Sequence, residues 1–172
     1  MEDIIKQKLV IDIDTAPNWD NVYSGICLIA NAEIVLLLNF NEDTGEFDGF
    51  SILKSKDAQK YRIWEKEEYQ ELKNNNSEAL LKDFTAEHFT DFKTALNHLK
   101  TELIAVYTYD DQEAYYVGKL ITSDADVVEL QLLNENSEWV NIEKINPNEI
   151  SYIGFKTSYE QELLKNATEQ GV

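Results

Sequence analysis

The chain reads as a mainly β protein with added helices, an α+β arrangement of two tandem five-stranded small barrels joined by a helical connector. Three observations predict it. The sequence repeats itself internally, each copy alternates apolar and polar residues between turn signals, and the stretch between the copies lacks Pro and Gly while spacing its apolar residues like a helix.

The repeat is read by laying residue 9 on residue 102, which pairs the copies at a constant offset of 93 as far as Glu42 and Glu135. Ile11 then meets Ile104, Tyr23 meets Tyr116, Gly25 meets Gly118 and Val35 meets Val128. One residue is lost in the turn at Asp43-Thr44-Gly45, and from there an offset of 92 pairs Phe47 with Trp139, Ile63 with Phe155 and Glu68 with Glu160. A single gap in a turn is what duplication leaves, because turns tolerate length changes that strands do not.

Each copy predicts the same elements in the same order. Strands are expected over 9–14, 22–29, 34–40, 47–53 and 61–64, and again over 103–109, 115–122, 127–133, 139–145 and 151–155, each set followed by a charged helix, 66–73 and 158–165. Five short strands in a meander predict a small barrel. The predicted divisions are 1–74 for the first unit, 75–101 for the connector and 102–172 for the second unit. Within the connector, Ser77 and Thr90 stand where helix N-caps are expected, and Phe92, Leu96, Leu99 and Leu103 recur at helical spacing.

Differences between matched positions carry more information than the matches. In the third strand of the second unit, Glu129, Gln131 and Leu133 form the wetter face, whereas the first unit puts Leu36, Leu38 and Phe40 at those positions. That apolar face calls for cover by the connecting helices, by the other barrel or by a second molecule, so these three residues are the candidate interface and a homo-oligomer through the first unit is one expectation. Cys27 falls opposite Leu120, a position that marks it as core and not as a nucleophile.

Composition narrows the function classes. Asp and Glu number 33 against 15 Lys and Arg, a formal net charge of −18, and Arg62 is the single arginine. Nucleic-acid binders draw affinity from cations placed against phosphate, so this field argues against nucleic acid and anionic membranes and favours a basic protein partner. No apolar run approaches the roughly 20 residues that a bilayer-crossing helix needs. The acidic start lacks the pattern of an export signal, and one cysteine allows no internal disulfide, so the expected location is the cytoplasm.

No motif for catalysis, metal or cofactor emerges. His88 and His98 are ten residues apart, outside zinc spacing, and neither a glycine-rich phosphate loop nor a hydrolase elbow is present. Asp124-Ala125-Asp126 is a turn without the further ligands of a calcium loop. The reading is therefore a non-enzyme without cofactor. Its candidate binding surface is the first hairpin of the second unit, where Tyr107, Tyr109, Tyr115 and Tyr116 surround Asp110, Asp111, Gln112 and Glu113; Trp19 and Asp20 in the matching loop of the first unit extend it. Tyrosine combines a large apolar face with a polar tip, which suits a protein partner of basic character, and the same residues also serve as cross-strand aromatic pairs.

Helix-forming residues ahead of Val106-Tyr107, with Gly118-Lys119-Leu120 and then Asp124, resemble the first motif of the Sm-like branch of small SH3-like β-barrels. The resemblance covers most of both units and implies RNA binding. The family's base-pocket Asn after that Asp is missing, since Ala125-Asp126-Val127 and Ala32-Glu33-Ile34 stand there, and so is its basic-glycine pair. Asp48-Gly49-Phe50 and the terminal charged helix are also similar to bacterial proteins of unassigned role. The sequence thus favours a protein-interaction module; an acidic mimic of nucleic acid is the alternative, and a Sm-like RNA binder a third.

Overall fold

The computed structural model describes residues 1–15, 22–65, 67–68, 76–82, 84–110, 115–124 and 126–170. The chain divides into two compact units, Met1–Phe92 and Lys93–Val172. It is mostly antiparallel β with short helices, an α+β protein. Among the described residues no helix is long and apolar enough to cross a membrane.

Unit 1 opens with α1 (Glu2–Gln7), which buries Ile4 and stops at Lys8, whose left-handed φ of 52° turns the chain into the first strand. Its strands are β1 (Val10–Thr15), β2 (Val22–Ala30), β3 (Ile34–Asn41), β4 (Glu46–Lys54) and, after a 3₁₀ turn at Ser55–Asp57, β5 (Ala58–Ile63). They lie in the order β5-β1-β2-β3-β4. Branched apolar residues favour these strands because their stiff side chains pack well on a pleated surface.

The Leu36 and Leu38 face is covered inside the chain, and both residues are fully buried. Leu38 stands opposite Phe50 and Leu36 opposite Ile52, so the four side chains share one face. Phe84 stacks on Phe50 at 5.5 Å between ring centroids, and Phe89 stacks on Phe84 at 5.5 Å. Asn76 anchors this segment by accepting from the Phe47 amide at 2.9 Å and donating to the Phe47 carbonyl at 2.8 Å. Leu36 and Leu38 therefore offer no surface to a second molecule: of the covers expected for this face, the one within the chain is found, and a homo-oligomer through these two residues is not. Phe40 is half-buried in edge-on contact with Phe47 and Trp64.

The connector contains α2 (Ser77–Leu81), a 3₁₀ turn at Ala86–His88 and α3 (Phe92–His98). Ser77 lies inside α2 and not at its cap, and Thr90 donates to the Asp91 carboxylate. The row that begins Phe92, Leu96, Leu99 does not extend to Leu103. Thr101 takes a φ of 74° and its amide donates to the Leu120 carbonyl, so the chain has already become strand when it reaches Leu103.

Unit 2 contains β6 (Leu103–Thr108), β7 (Tyr115–Ser123), β8 (Val128–Leu133), β9 (Trp139–Ile145), β10 (Ile150–Phe155) and α4 (Ser158–Gln170). Their order within the unit is β10-β6-β7-β8-β9. The registers of the two units coincide residue by residue. Gly25 pairs with Ile11 and Asn39, while Gly118 pairs with Ile104 and Leu132. Irregularities fall at Cys27/Ile29 and at Leu120/Thr122, again 93 positions apart. The first helical turn is fixed alike, the Glu68 carboxylate accepting from the Glu65 amide at 2.6 Å and that of Glu160 from the Thr157 amide at 2.8 Å.

Cys27 is fully buried, its thiol donates to the Ile29 carbonyl at 3.6 Å, and burial pushes its pKa up to about 11 despite small opposing effects of the chain's terminal ammonium and of that hydrogen bond. The thiolate is the reactive form, so a thiol reagent is expected to label the native protein far more slowly than the unfolded one. Labelling followed across a urea series should rise with the unfolding transition; fast labelling in buffer would show that Cys27 is accessible.

Candidate functional site

Four tyrosines of unit 2 line up across one sheet face and one helix. In an antiparallel sheet, residues directly opposite each other project to the same side. Tyr107 on β6 stands opposite Tyr115 on β7 and opposite Tyr152 on β10. The rings follow this register, Tyr107 lying 4.6 Å from Tyr115 and 5.5 Å from Tyr152 between centroids, and Tyr159 of α4 extends the row at 6.4 Å from Tyr115. These separations are those of attractive aromatic pairs.

The row is graded from dry to wet. Tyr107 and Tyr152 are half-buried, while Tyr115 is 37% and Tyr159 47% exposed. Burial raises the Tyr107 pKa, so its phenol stays neutral and can donate a hydrogen bond at physiological pH. Gly154 makes room for the row, because a Cβ there would lie 2.9 Å from the Tyr152 hydroxyl oxygen.

Acidic residues stand at the same end of the unit. Asp110 follows β6 and is exposed, and the Tyr109 amide donates to the carbonyl of the exposed Glu149 at 2.8 Å, tying the end of β6 to the start of β10. The sequence reading is thus refined residue by residue. Tyr107 and Tyr115 are brought together. Tyr109 is half-buried just beyond the strand, and Tyr116, opposite the buried Val106, belongs to the other face. Asp111, Gln112 and Glu113, like Trp19 and Asp20, lie outside the described residues.

Tyr152 and Tyr159 were not legible as members of this site, yet a signal for them existed. The matched positions of unit 1 hold Asp14 for Tyr107, Val22 for Tyr115, Lys60 for Tyr152 and Glu67 for Tyr159. All four members of the row are absent from the other copy. Reading the differences on that face, and not only those of the third strand, would have collected them.

A second constellation, in unit 1, is closed on itself. Asp12 accepts from Ser24 Oγ at 2.8 Å and from Trp64 Nε1 at 2.6 Å through one oxygen, and from Arg62 Nε at 2.9 Å and Nη2 at 2.7 Å through the other. Arg62 also donates to Glu68 at 2.8 Å. Burial by itself would raise the Asp12 pKa, but the hydrogen bonds from Trp64, Ser24 and Arg62, with the charge of Arg62, outweigh it and hold the carboxyl below its ordinary value. With four donors on one carboxylate, this is a staple for β1, β2 and the chain after β5, with nothing left over for a substrate.

Among the described residues no group of three or more His, Cys, Asp and Glu side chains could hold a metal ion. Compared with family models, curated proteins and solved structures, the chain matches none of them.

Proposed function

We propose that this protein is a non-enzymatic protein-interaction module whose unit 2 grips a basic, extended segment of a partner along the tyrosine row. One observation carries the reading: two five-stranded sets of the same register differ in that only one bears Tyr107, Tyr115, Tyr152 and Tyr159, so the row is not a requirement of the fold. Tyr faces accept Lys and Arg side chains, and Asp110, Glu149 and the −18 field draw cations toward them. Matching registers support descent by duplication and the strand order supports two small Sm-like barrels, which would form the scaffold.

A titration with a Lys/Arg-rich peptide, read by NMR, tests this. Because Tyr115 and Tyr159 are exposed, Tyr115→Ser with Tyr159→Ser leaves the fold intact and is expected to weaken binding about tenfold or more, as truncating two aromatic anchors does. The net charge supports the alternative, an acidic nucleic-acid mimic. Binding that the double substitution leaves unchanged, and that falls steeply with salt, would favour the mimic and defeat the tyrosine reading.

A further inference from the structure

Unit 1 contains a cleft of about 280 Å³, near the roughly 300 Å³ lower end of small-molecule sites, with Ile13, Ala30, Val35 and Ala58 among its walls. Lys60, Ser55 and Tyr61 also line it. The register says why the space is there. At the positions where unit 1 has Ala58, Lys60 and Ser55, unit 2 has Ile150, Tyr152 and Pro147, and Ile150 is fully buried. Unit 2 thus carries a larger, buried side chain where unit 1 has Ala58.

The chemistry of the lining is that of an amphipathic anion site. Ile13 is 1% and Val35 3% exposed, so the deep wall is dry and apolar. Asn31, which also lines the cleft, spends its amide on the Thr90 carbonyl and on the Glu33 and Ile34 amides. The Ser55 hydroxyl donates to the Asn31 carbonyl at 2.8 Å. Lys60 is exposed, and among the described residues no carboxylate pairs with it, although Asp14 stands opposite on β1. Around it lies the most basic stretch of an acidic chain, Lys54, Lys56, Lys60 and Arg62 against the single acid Asp57.

We propose that this cleft binds a small monocarboxylate with an apolar tail, the tail against Ile13, Val35 and Ala58 and the carboxylate on the Lys60 ammonium. Apolar burial holds the tail and a charge-assisted hydrogen bond selects the acid over a neutral analogue. This site is independent of the tyrosine row.

The test is an NMR titration with sodium octanoate and, separately, with 1-octanol. Wild-type protein is expected to bind octanoate saturably, with shifts centred on Ala58 and Val35. Ala58→Ile, which installs the residue that unit 2 carries at this position, should abolish those shifts. Lys60→Met should weaken octanoate by about tenfold while leaving octanol unchanged, a split that general loss of structure could not produce. Absence of saturable octanoate binding, shifts that survive Ala58→Ile, or equal weakening of both ligands by Lys60→Met would overturn the proposal.

Discussion

Gly25→Ala is expected to be among the most damaging single substitutions in the chain. A Cβ at Gly25 would overlap the Leu38 carbonyl oxygen on the neighbouring strand, and one at Gly118 would lie 2.7 Å from the Gln131 carbonyl oxygen. Backbone cannot rotate away as a side chain can, so β2 and β3 must separate and their ladder bonds lengthen. The expected cost is about 3 kcal/mol, at the upper end for overpacking and equivalent to roughly 10 °C in Tm for a chain of this size. Thermal unfolding followed by circular dichroism measures it. Gly45→Ala is the control: Gly45 has a φ of 71° with nothing near its missing Cβ, so only conformational strain of about 1 kcal/mol is added. Should the two substitutions cost the same, close strand approach is not the reason for glycine at position 25.

Removing Asp12 is expected to have the next largest effect. Asp12→Ala deprives the Trp64 indole of its acceptor, leaves the Ser24 hydroxyl with only the longer bond to the Glu42 carboxylate at 3.5 Å, and leaves Arg62 with Glu68 alone. Arg62 is 57% exposed, so its ion pair adds little; the cost of about 2 kcal/mol comes mainly from the orphaned, partly buried Trp64 donor and from the weakened bond of Ser24. The pH dependence has a definite sign. Because the folded-state pKa of Asp12 lies below its unfolded value, the contribution is fully present above about pH 4 and is lost as the pH falls through the lowered folded value. The stability gap between wild type and Asp12→Ala, measured by urea titration, should therefore be flat near neutrality and narrow in acid. A gap that widened below pH 4 would contradict the network.

That network also shows where reading one copy against the other stops being sufficient. At the positions of Asp12 and Ser24, unit 2 has Ala105 and Val117, and these join Leu103, Leu133 and Leu163 in a dry cluster under α4. One side of the same sheet is thus closed by a hydrogen-bonded carboxylate in unit 1 and by aliphatic packing in unit 2. Polar residues at those strand positions read as a solvent-facing edge. Only the approach of Trp64 and Arg62, some fifty residues away in sequence, turns Asp12 into a partly buried acceptor.

The sequence by itself determined the strands, their order in two like sets and the glycines at matching places, because period-two burial, turn chemistry and close backbone approach are local demands that each residue type announces. It also marked Tyr107 and Tyr115 among the tyrosines of a candidate surface, and Cys27 as core. Tertiary structure alone decided what covers each face. Phe84 stacks on Phe50 and Phe89 on Phe84, Tyr152 and Tyr159 complete a row begun on another strand, and Ala58 lines a cleft at the position where unit 2 buries Ile150. Those outcomes depend on which distant segments a face meets, and contact between distant segments is fixed by packing of the whole unit and not by the pattern of any one strand.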